Sequence, residues 1–227
     1  MNIAVFSDKF SGTLSAIEVL DIVKNKFVES KVNADYFSIT DGGQESTEIF
    51  KSYDFKIHES FKTLNCDNSL STVESVDING NIFFESAQII SINTNKKAMS
   101  INSGCLSEVI EKTETLGTGG SKTVDFGIGL LSKLGMEFIS NGEVINNPIP
   151  ENFSFIDSIK TTNFNPDVEL IVLSDTSIPL LGENSAFDVF GPQKGMSEED
   201  IVNHKLEVER LITLIDKELV LGVNPNE

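Results

Sequence analysis

The 227-residue sequence has no tryptophan, two tyrosines, two histidines, two cysteines and six prolines, and its 17 basic residues are outnumbered by 35 acidic ones. Without Trp, aromatic packing falls to 16 Phe. Cys66 and Cys105 lie far apart with no CxxC spacing, which excludes a disulfide framework and a thiolate zinc site. The shortage of base leaves a formal charge of −18. Such a field repels nucleic acid and anionic membrane surfaces, so neither is expected as a partner. It also repels anionic substrates, so a site for phosphate or carboxylate must concentrate its few cations or borrow a metal ion. No apolar run approaches the ~20 residues of a membrane span. The opening MNIAVFSDKF lacks a basic stretch and a long apolar stretch, so no signal peptide is expected. That leaves the cytoplasm as the expected location.

What is present is an α/β pattern. Ile3 to Ser7 reads as a buried strand, Asp8 to Gly12 as a loop, and Ser15 with Glu18 as a capping box opening a helix with Ile17, Leu20, Val23 and Phe27 at helical spacing. Ala34 to Ile39 reads as a second strand, followed by Thr40-Asp41-Gly42-Gly43 and a short helix near Glu45 to Lys51. Alternating strand and helix implies a parallel sheet, whose ligands bind beyond the carboxyl ends of the strands. Near residue 52 the pattern changes to hairpins, signalled by Asn79-Gly80 and Asn141-Gly142. The predicted fold class is α/β: a Rossmann-like parallel sheet segment over 1–52, then a mixed α/β domain with β-hairpins over 53–227. Helices are expected near Ser107 to Glu114 and Val124 to Leu134, with irregular connection over Asn146 to Asn165. Val168 to Leu173 is a β-branched run expected to be a central strand. Ser197 opens a last helix with Ile201, Leu206, Val208, Leu211 and Leu214 on or near its apolar face and His204 toward solvent.

Asp8, Asp41, Asp125 and Asp175 each sit in or just after a small polar loop. Phosphoryl transfer to an alcohol needs one carboxylate to orient or deprotonate the hydroxyl and often another to hold Mg²⁺. Capping and turn formation are the ordinary uses of Asp, and Asp125, just inside a helix start, is the most open to that reading. Gly117 to Ser121 is a glycine-rich turn before a helix; its Gly119 and Gly120 amides and the Ser121 hydroxyl suit a phosphate, although the spacing is not that of a Walker loop. Lys9 and Lys194 are rare loop cations that could meet phosphate or carboxylate.

Four segments in register resemble the bacterial glycerate kinase family. Val5 to Ala16 (VFSDKFSGTLSA) is similar to the family's opening I-A-P-D-S-F-K-G-S-L-S-A, and Thr40 to Ser46 (TDGGQES) to A-D-G-G-E-G-T. Gly117 to Leu130 (GTGGSKTVDFGIGL) is similar to G-I-G-G-S-A-T-N-D-G-G-A-G-M, and Leu173 to Gly195 ends in an uninterrupted FGPQKG. Phe84 to Ala87 (FESA) is a weaker echo of I-E-M-A. The resemblance implies an ATP- and Mg²⁺-dependent kinase that converts glycerate to phosphoglycerate. It makes Asp175 the expected base and Asp125, beside the Gly119 to Ser121 loop, a second catalytic residue. Asp8, Lys9, Asp41, Gly42, Gly43, Gly119, Gly120, Ser121 and Lys194 become the expected substrate- and phosphate-binding residues; no metal ligand is assigned. The departures are Ser11 for the family lysine, Gln44-Glu45 for E-G, Val124 and Phe126 around Asp125, and Ile178 for an asparagine. The family's P-G-A-G-A-A-G-G and T-G-E-G-R-x-D stretches do not follow FGPQKG. The expectation is therefore a shortened member, with residues 1–52 as half of the first domain and 53–227 an incomplete inserted domain. It would act with a second copy or a complementing fragment, or persist as an inactive small-molecule-binding protein.

Overall fold

The computed structural model describes residues 2–10, 12–164 and 169–219. In chain order the elements are β1 (Ala4–Ser7), α1 (Ala16–Glu29), β2 (Asp35–Ser38), α2 (Ser46–Ser52), β3 (Lys56–Leu64), β4 (Leu70–Ile78), β5 (Asn81–Glu85), α3 (Ser107–Ile110) and β6 (Thr115–Gly117). They continue with α4 (Ile128–Lys133), β7 (Glu137–Ser140), β8 (Glu143–Val144), β9 (Ser158–Lys160), β10 (Ile171–Leu173), α5 (Ala186–Phe190) and α6 (Glu198–Leu219). The chain is α/β, with both parallel and hairpin sheets.

Parallel strands need a crossover, and α1 supplies it between β1 and β2, which pair from Ala4 opposite Asp35 to Ser7 opposite Ser38. Three helices begin on the same device. Ser15 with Glu18, Ser185 with Asp188 and Ser197 with Asp200 each exchange hydroxyl and carboxylate bonds with free first-turn amides. The five-stranded sheet runs β10-β6-β5-β4-β3. Its β3–β4–β5 meander is antiparallel, whereas β5, β6 and β10 are mutually parallel. Asn79 and Gly80 both take positive φ, 55° and 93°, as do Asn141 and Gly142 at 51° and 83°, the geometry a two-residue hairpin needs.

Two cores result. Val73, Phe84, Ile89, Ile90, Val109 and Leu116 fill the one against the large sheet. Phe138, Phe153, Ile128, Val208 and Leu211 fill the other, between the β8-β7-β9 sheet and α6. Among the described residues no helix is long and apolar enough to cross a membrane.

Several expectations are corrected. The Val168 to Leu173 run is not central: β10 covers Ile171–Leu173 at the sheet's edge, with Ile171 53% and Val172 55% exposed, while Val168 lies outside the described residues. β-Branched composition marks a fit to a pleated surface rather than burial. A buried interior position, between β10 and β5, belongs instead to the short, polar-looking β6. The two predicted helices shrink to α3 and α4, the second because Gly127 turns the chain at φ 87°. The 146–165 connection contains a 3-10 turn, Pro150–Phe155, and strand β9. On α6, Leu206 is exposed and His204 is 2% exposed, because 201, 204, 208 and 211 form one stripe three and four residues apart.

Candidate functional site

The carboxyl ends of the parallel strands deliver the site. β1 ends before Asp8, β2 before Thr40-Asp41-Gly42-Gly43, β5 before Ser86, β6 before Thr118 to Ser121, and β10 before Asp175. The loops after β2 and β6 interlock. A side chain on Gly43 would come within 2.8 Å of the Gly119 Cα, and one on Gly117 would overlap the Gly42 carbonyl oxygen. Only bare backbone fits there. Thr118 then donates from its N–H (3.3 Å) and its Oγ1 (3.0 Å) to the Leu173 carbonyl, fastening the end of β10 to the same place.

Lys9 Nζ lies 3.2 Å from both oxygens of Asp41 and 4.0 Å from Asp8 Oδ1. The Gly43 N–H donates to Asp41 Oδ1 at 2.8 Å. Burial pushes the Asp41 carboxyl upward, but the Gly43 amide and the Lys9 ammonium outweigh it and hold Asp41 below the usual carboxylate range. The result is a fixed, ionised carboxylate beside a cation at the mouth of the glycine interlock.

Behind the glycine loop is a hollow of about 210 Å³, lined by Ser86, Ser103, Thr118, Ser121, Thr123 and Asp125. Asp125 is 1% exposed, and its Oδ2 accepts from Ser103 N–H (2.8 Å), Ser103 Oγ (2.8 Å) and Gly129 N–H (3.0 Å). Three donors on one oxygen make it the peg between residue 103 and α4. Lys194 does not reach the Lys9–Asp41 pair. Its Nζ donates to the Thr123 carbonyl at 2.7 Å, behind Asp125. Burial pushes the Lys194 ammonium down to about 8, with Asp125 opposing and Lys122 adding to the shift.

Asp8, Lys9, Asp41, Gly42, Gly43, Gly119 and Gly120 thus form one cluster, and Ser121 with Asp125 lines the adjoining hollow. Asp175 stands two residues beyond the fastened Leu173, exposed and with no hydrogen bond to another described residue. Two residues escaped the sequence reading. Ser86 Oγ is buried and has no hydrogen-bond partner among the described residues. Glu85 accepts from the Glu45 and Thr47 N–H groups at 3.0 Å each, and burial raises its carboxyl above the usual range. Their signal was the FESA echo of the family motif, in which Glu85 closes β5 and Ser86 follows it.

The profile of the glycerate kinase family matches residues 3–226. The chain belongs to the glycerate kinase family. It is 25% identical to glycerate 2-kinase of Escherichia coli K12 over 98% of its own length and 63% of that protein's. It is 29% identical to a glycerate kinase of Bacillus cereus, over 88% of this chain and 57% of the relative. A crystal structure described as glycerate kinase 2 from Salmonella typhimurium LT2 shares the fold, with a TM-score of 0.72 at 24% identity, covering all of this chain and 66% of that one. The chain therefore spans about three-fifths of the length of these family members.

Proposed function

We propose that this chain transfers the γ-phosphoryl group of ATP to a hydroxyl of glycerate, giving phosphoglycerate. The observation that carries the reading is the interlock of Gly43 with Gly119 at the carboxyl edge of parallel strands, with a hollow behind it walled by hydroxyls and Asp125 on one part and by apolar side chains on the rest. One feature supports a fit to phosphate: Ser86 Oγ, in the wall of the hollow, is a buried donor with no hydrogen-bond partner among the described residues. The interlock is backbone packed on backbone, and it fixes the two loops beside the hollow. At about 210 Å³ the hollow is below the ~300 Å³ where drug-sized sites begin. It suits a three-carbon acid or a phosphoryl group, with the remainder of a nucleotide outside.

Bound Mg²⁺–ATP would supply the phosphoryl group and neutralise charge building on its oxygens. Asp8 and Asp41 are the hard oxygen donors suited to Mg²⁺, which commonly uses one or two carboxylates with substrate phosphates. Lys9 keeps Asp41 ionised and in place. Gly119, Gly120 and Ser121 offer amide and hydroxyl donors to phosphate oxygens, and Lys194 places positive charge behind them. Asp175, at the rim, accepts the proton of the glycerate hydroxyl as its oxygen bonds to phosphorus and the bond to the departing ADP oxygen breaks. Asp125 positions the wall of the hollow, its Oδ2 holding residue 103 and α4 through three donors.

The test is ATP- and Mg²⁺-dependent phosphorylation of D-glycerate by the purified chain. Asp175→Asn is expected to lower kcat roughly 100-fold or more, the usual contribution of a positioned base. No product from the unaltered chain at high enzyme concentration defeats the reading.

A further inference from the structure

A hollow of about 350 Å³ lies apart from the glycine interlock, between the β3–β4 turn, the 96–108 segment and the end of α4. Its volume is in the range of small-molecule sites. Lys96 and Lys133 line it, and neither is in an ion pair with a described residue. In a chain of net charge −18, two unpaired ammonium groups on one hollow are a local reversal of the field. Its one lining carboxylate, Glu108, accepts from the Thr63 hydroxyl at 2.8 Å and keeps its charge, so the two ammonium groups outweigh it by one. The rest of the wall is largely neutral amide and hydroxyl.

The same wall serves the site already described. Asn102, Gly104 and Cys105 line this hollow, whereas Ser103 and Leu106 line the one beside Asp125. Asn102 is pinned by its Nδ2 donating to the Pro148 carbonyl (2.6 Å) and Asn147 Oδ1 (3.0 Å), and by its Oδ1 accepting from Gly104 N–H (3.0 Å). It abuts Gly129 so closely that a side chain there would collide with it. Lys133 closes α4, the helix whose Gly129 N–H holds Asp125. An occupant spanning Lys96 and Lys133 therefore bears on both donors of the Asp125 peg, residue 103 and α4.

We infer that this hollow binds a small oxyanion, a carboxylate or phosphate on a short polar body, and that occupancy adjusts the Asp125 wall. The coupling rests on the kinase reading; the binding does not. The sequence supplies its own reporters, because both of its cysteines line the hollow. Burial pushes Cys66 up to about 11 and Cys105 to about 12, so alkylation is slow and best followed at alkaline pH.

Iodoacetamide labelling of Cys66 and Cys105 should be followed by mass spectrometry with inorganic phosphate, 3-phosphoglycerate or citrate, against sodium chloride of equal ionic strength. Labelling is expected to slow about tenfold when an anion is at ten times its dissociation constant. The Lys96→Gln/Lys133→Gln double variant should melt at the same temperature, label at the unprotected rate and lose the protection. In the unaltered chain the same anion should shift glycerate phosphorylation with the same half-saturation, and in the double variant it should not. No protection by any of the three anions, or equal protection in the double variant, overturns the site. Protection without an effect on turnover overturns the coupling, and protection in a chain with no turnover overturns the kinase reading while the site stands.

Discussion

Residues 45 and 126 occupy equivalent predicaments in the two loops of the site. The family motifs have glycine at both positions, this chain has Glu45 and Phe126, and both keep a left-handed backbone, at φ 75° and 38°. The surroundings differ. The Phe126 ring meets Phe153 edge-on at 6.0 Å and joins the α6 core, so burial offsets the strain. Glu45 has no such return: its Oε2 is buried without a partner among the described residues, and its charge adds to the burial that raises Glu85. The lesson is that the loop paths are set by the backbone interlock, which holds even where the permissive residue is gone. What varies is whether the replacement finds compensating contacts.

The strongest way to break this comparison is to attack the interlock. Gly43→Ala places a methyl against the Gly119 backbone, 2.8 Å from its Cα. Neither backbone can give way as a flexible side chain would, so a loss of roughly 3 kcal/mol is expected. At ~2–4 °C per kcal/mol for a chain of this size, calorimetry should find the melting temperature about 6–12 °C lower. A variant that melts within a degree of the parent would mean that something other than the interlock sets the loops. Phe126→Gly comes next. It forfeits the half-buried ring but relieves the backbone, and a net loss of about 2 kcal/mol is expected. Denaturant unfolding that shows a gain would place Phe126 in the same uncompensated class as Glu45.

Local chemistry was legible wherever the residue and its own neighbours decide the outcome. Asn79-Gly80 and Asn141-Gly142 made their hairpins, and Ser15-x-x-Glu18 made its cap, because backbone sign and capping are settled within four residues. The meeting of the Asp8 and Asp41 loops was legible, since strand–loop–helix order predicts one carboxyl edge for β1 and β2; that the Gly119 loop, from a second sheet, joins them was implied only by the family resemblance. Lys9 pairing with Asp41 and Lys194 turning under Thr123 were not, since each depends on chain 32 or more residues away. β10 misled because its composition says nothing about a missing neighbour. His204 was legible and overlooked: its spacing from Ile201 and Val208 already places it on the buried stripe.

That histidine sharpens the Phe126 side of the comparison. Its ring stacks on Phe153 at 5.7 Å, and its Nε2 lies 2.7 Å from the Val124 carbonyl, two residues before Phe126. Burial holds the imidazole below its ordinary value, against the hydrogen bond to Val124 and the charges of Asp125, Glu207 and Asp200. The folded chain thus resists a proton that the unfolded chain accepts below the ordinary histidine value. Stability from this group is full above that value and falls with pH beneath it, by up to ~1.4 kcal/mol per pH unit. Urea unfolding at several values between about pH 7 and about pH 5 should show a shallower decline in His204→Gln than in the parent. Parallel declines would mean that the 124–127 loop does not depend on a neutral imidazole.

The smallest effect is the most discriminating, because its sign differs from the others. Glu45→Gly should stabilise the protein. It removes about 1 kcal/mol of left-handed strain. It also removes a buried oxygen with no partner and a charge beside Glu85. The greater freedom of glycine in the unfolded chain takes back roughly 0.5–1 kcal/mol, leaving a net gain of about 1 kcal/mol. Glu45→Ala separates the contributions, since it removes the carboxylate and keeps a Cβ at φ 75°. If backbone strain exceeds the extra freedom of glycine, the glycine variant melts higher than the alanine variant. If the two coincide above the parent, the strain relieved only matches that freedom, roughly 0.5–1 kcal/mol, and the gain over the parent comes from shedding the carboxylate. In that event the contrast with Phe126 rests on the stranded carboxylate alone, and Glu45→Gln, which keeps the side chain's size and sheds its charge, should recover most of the gain.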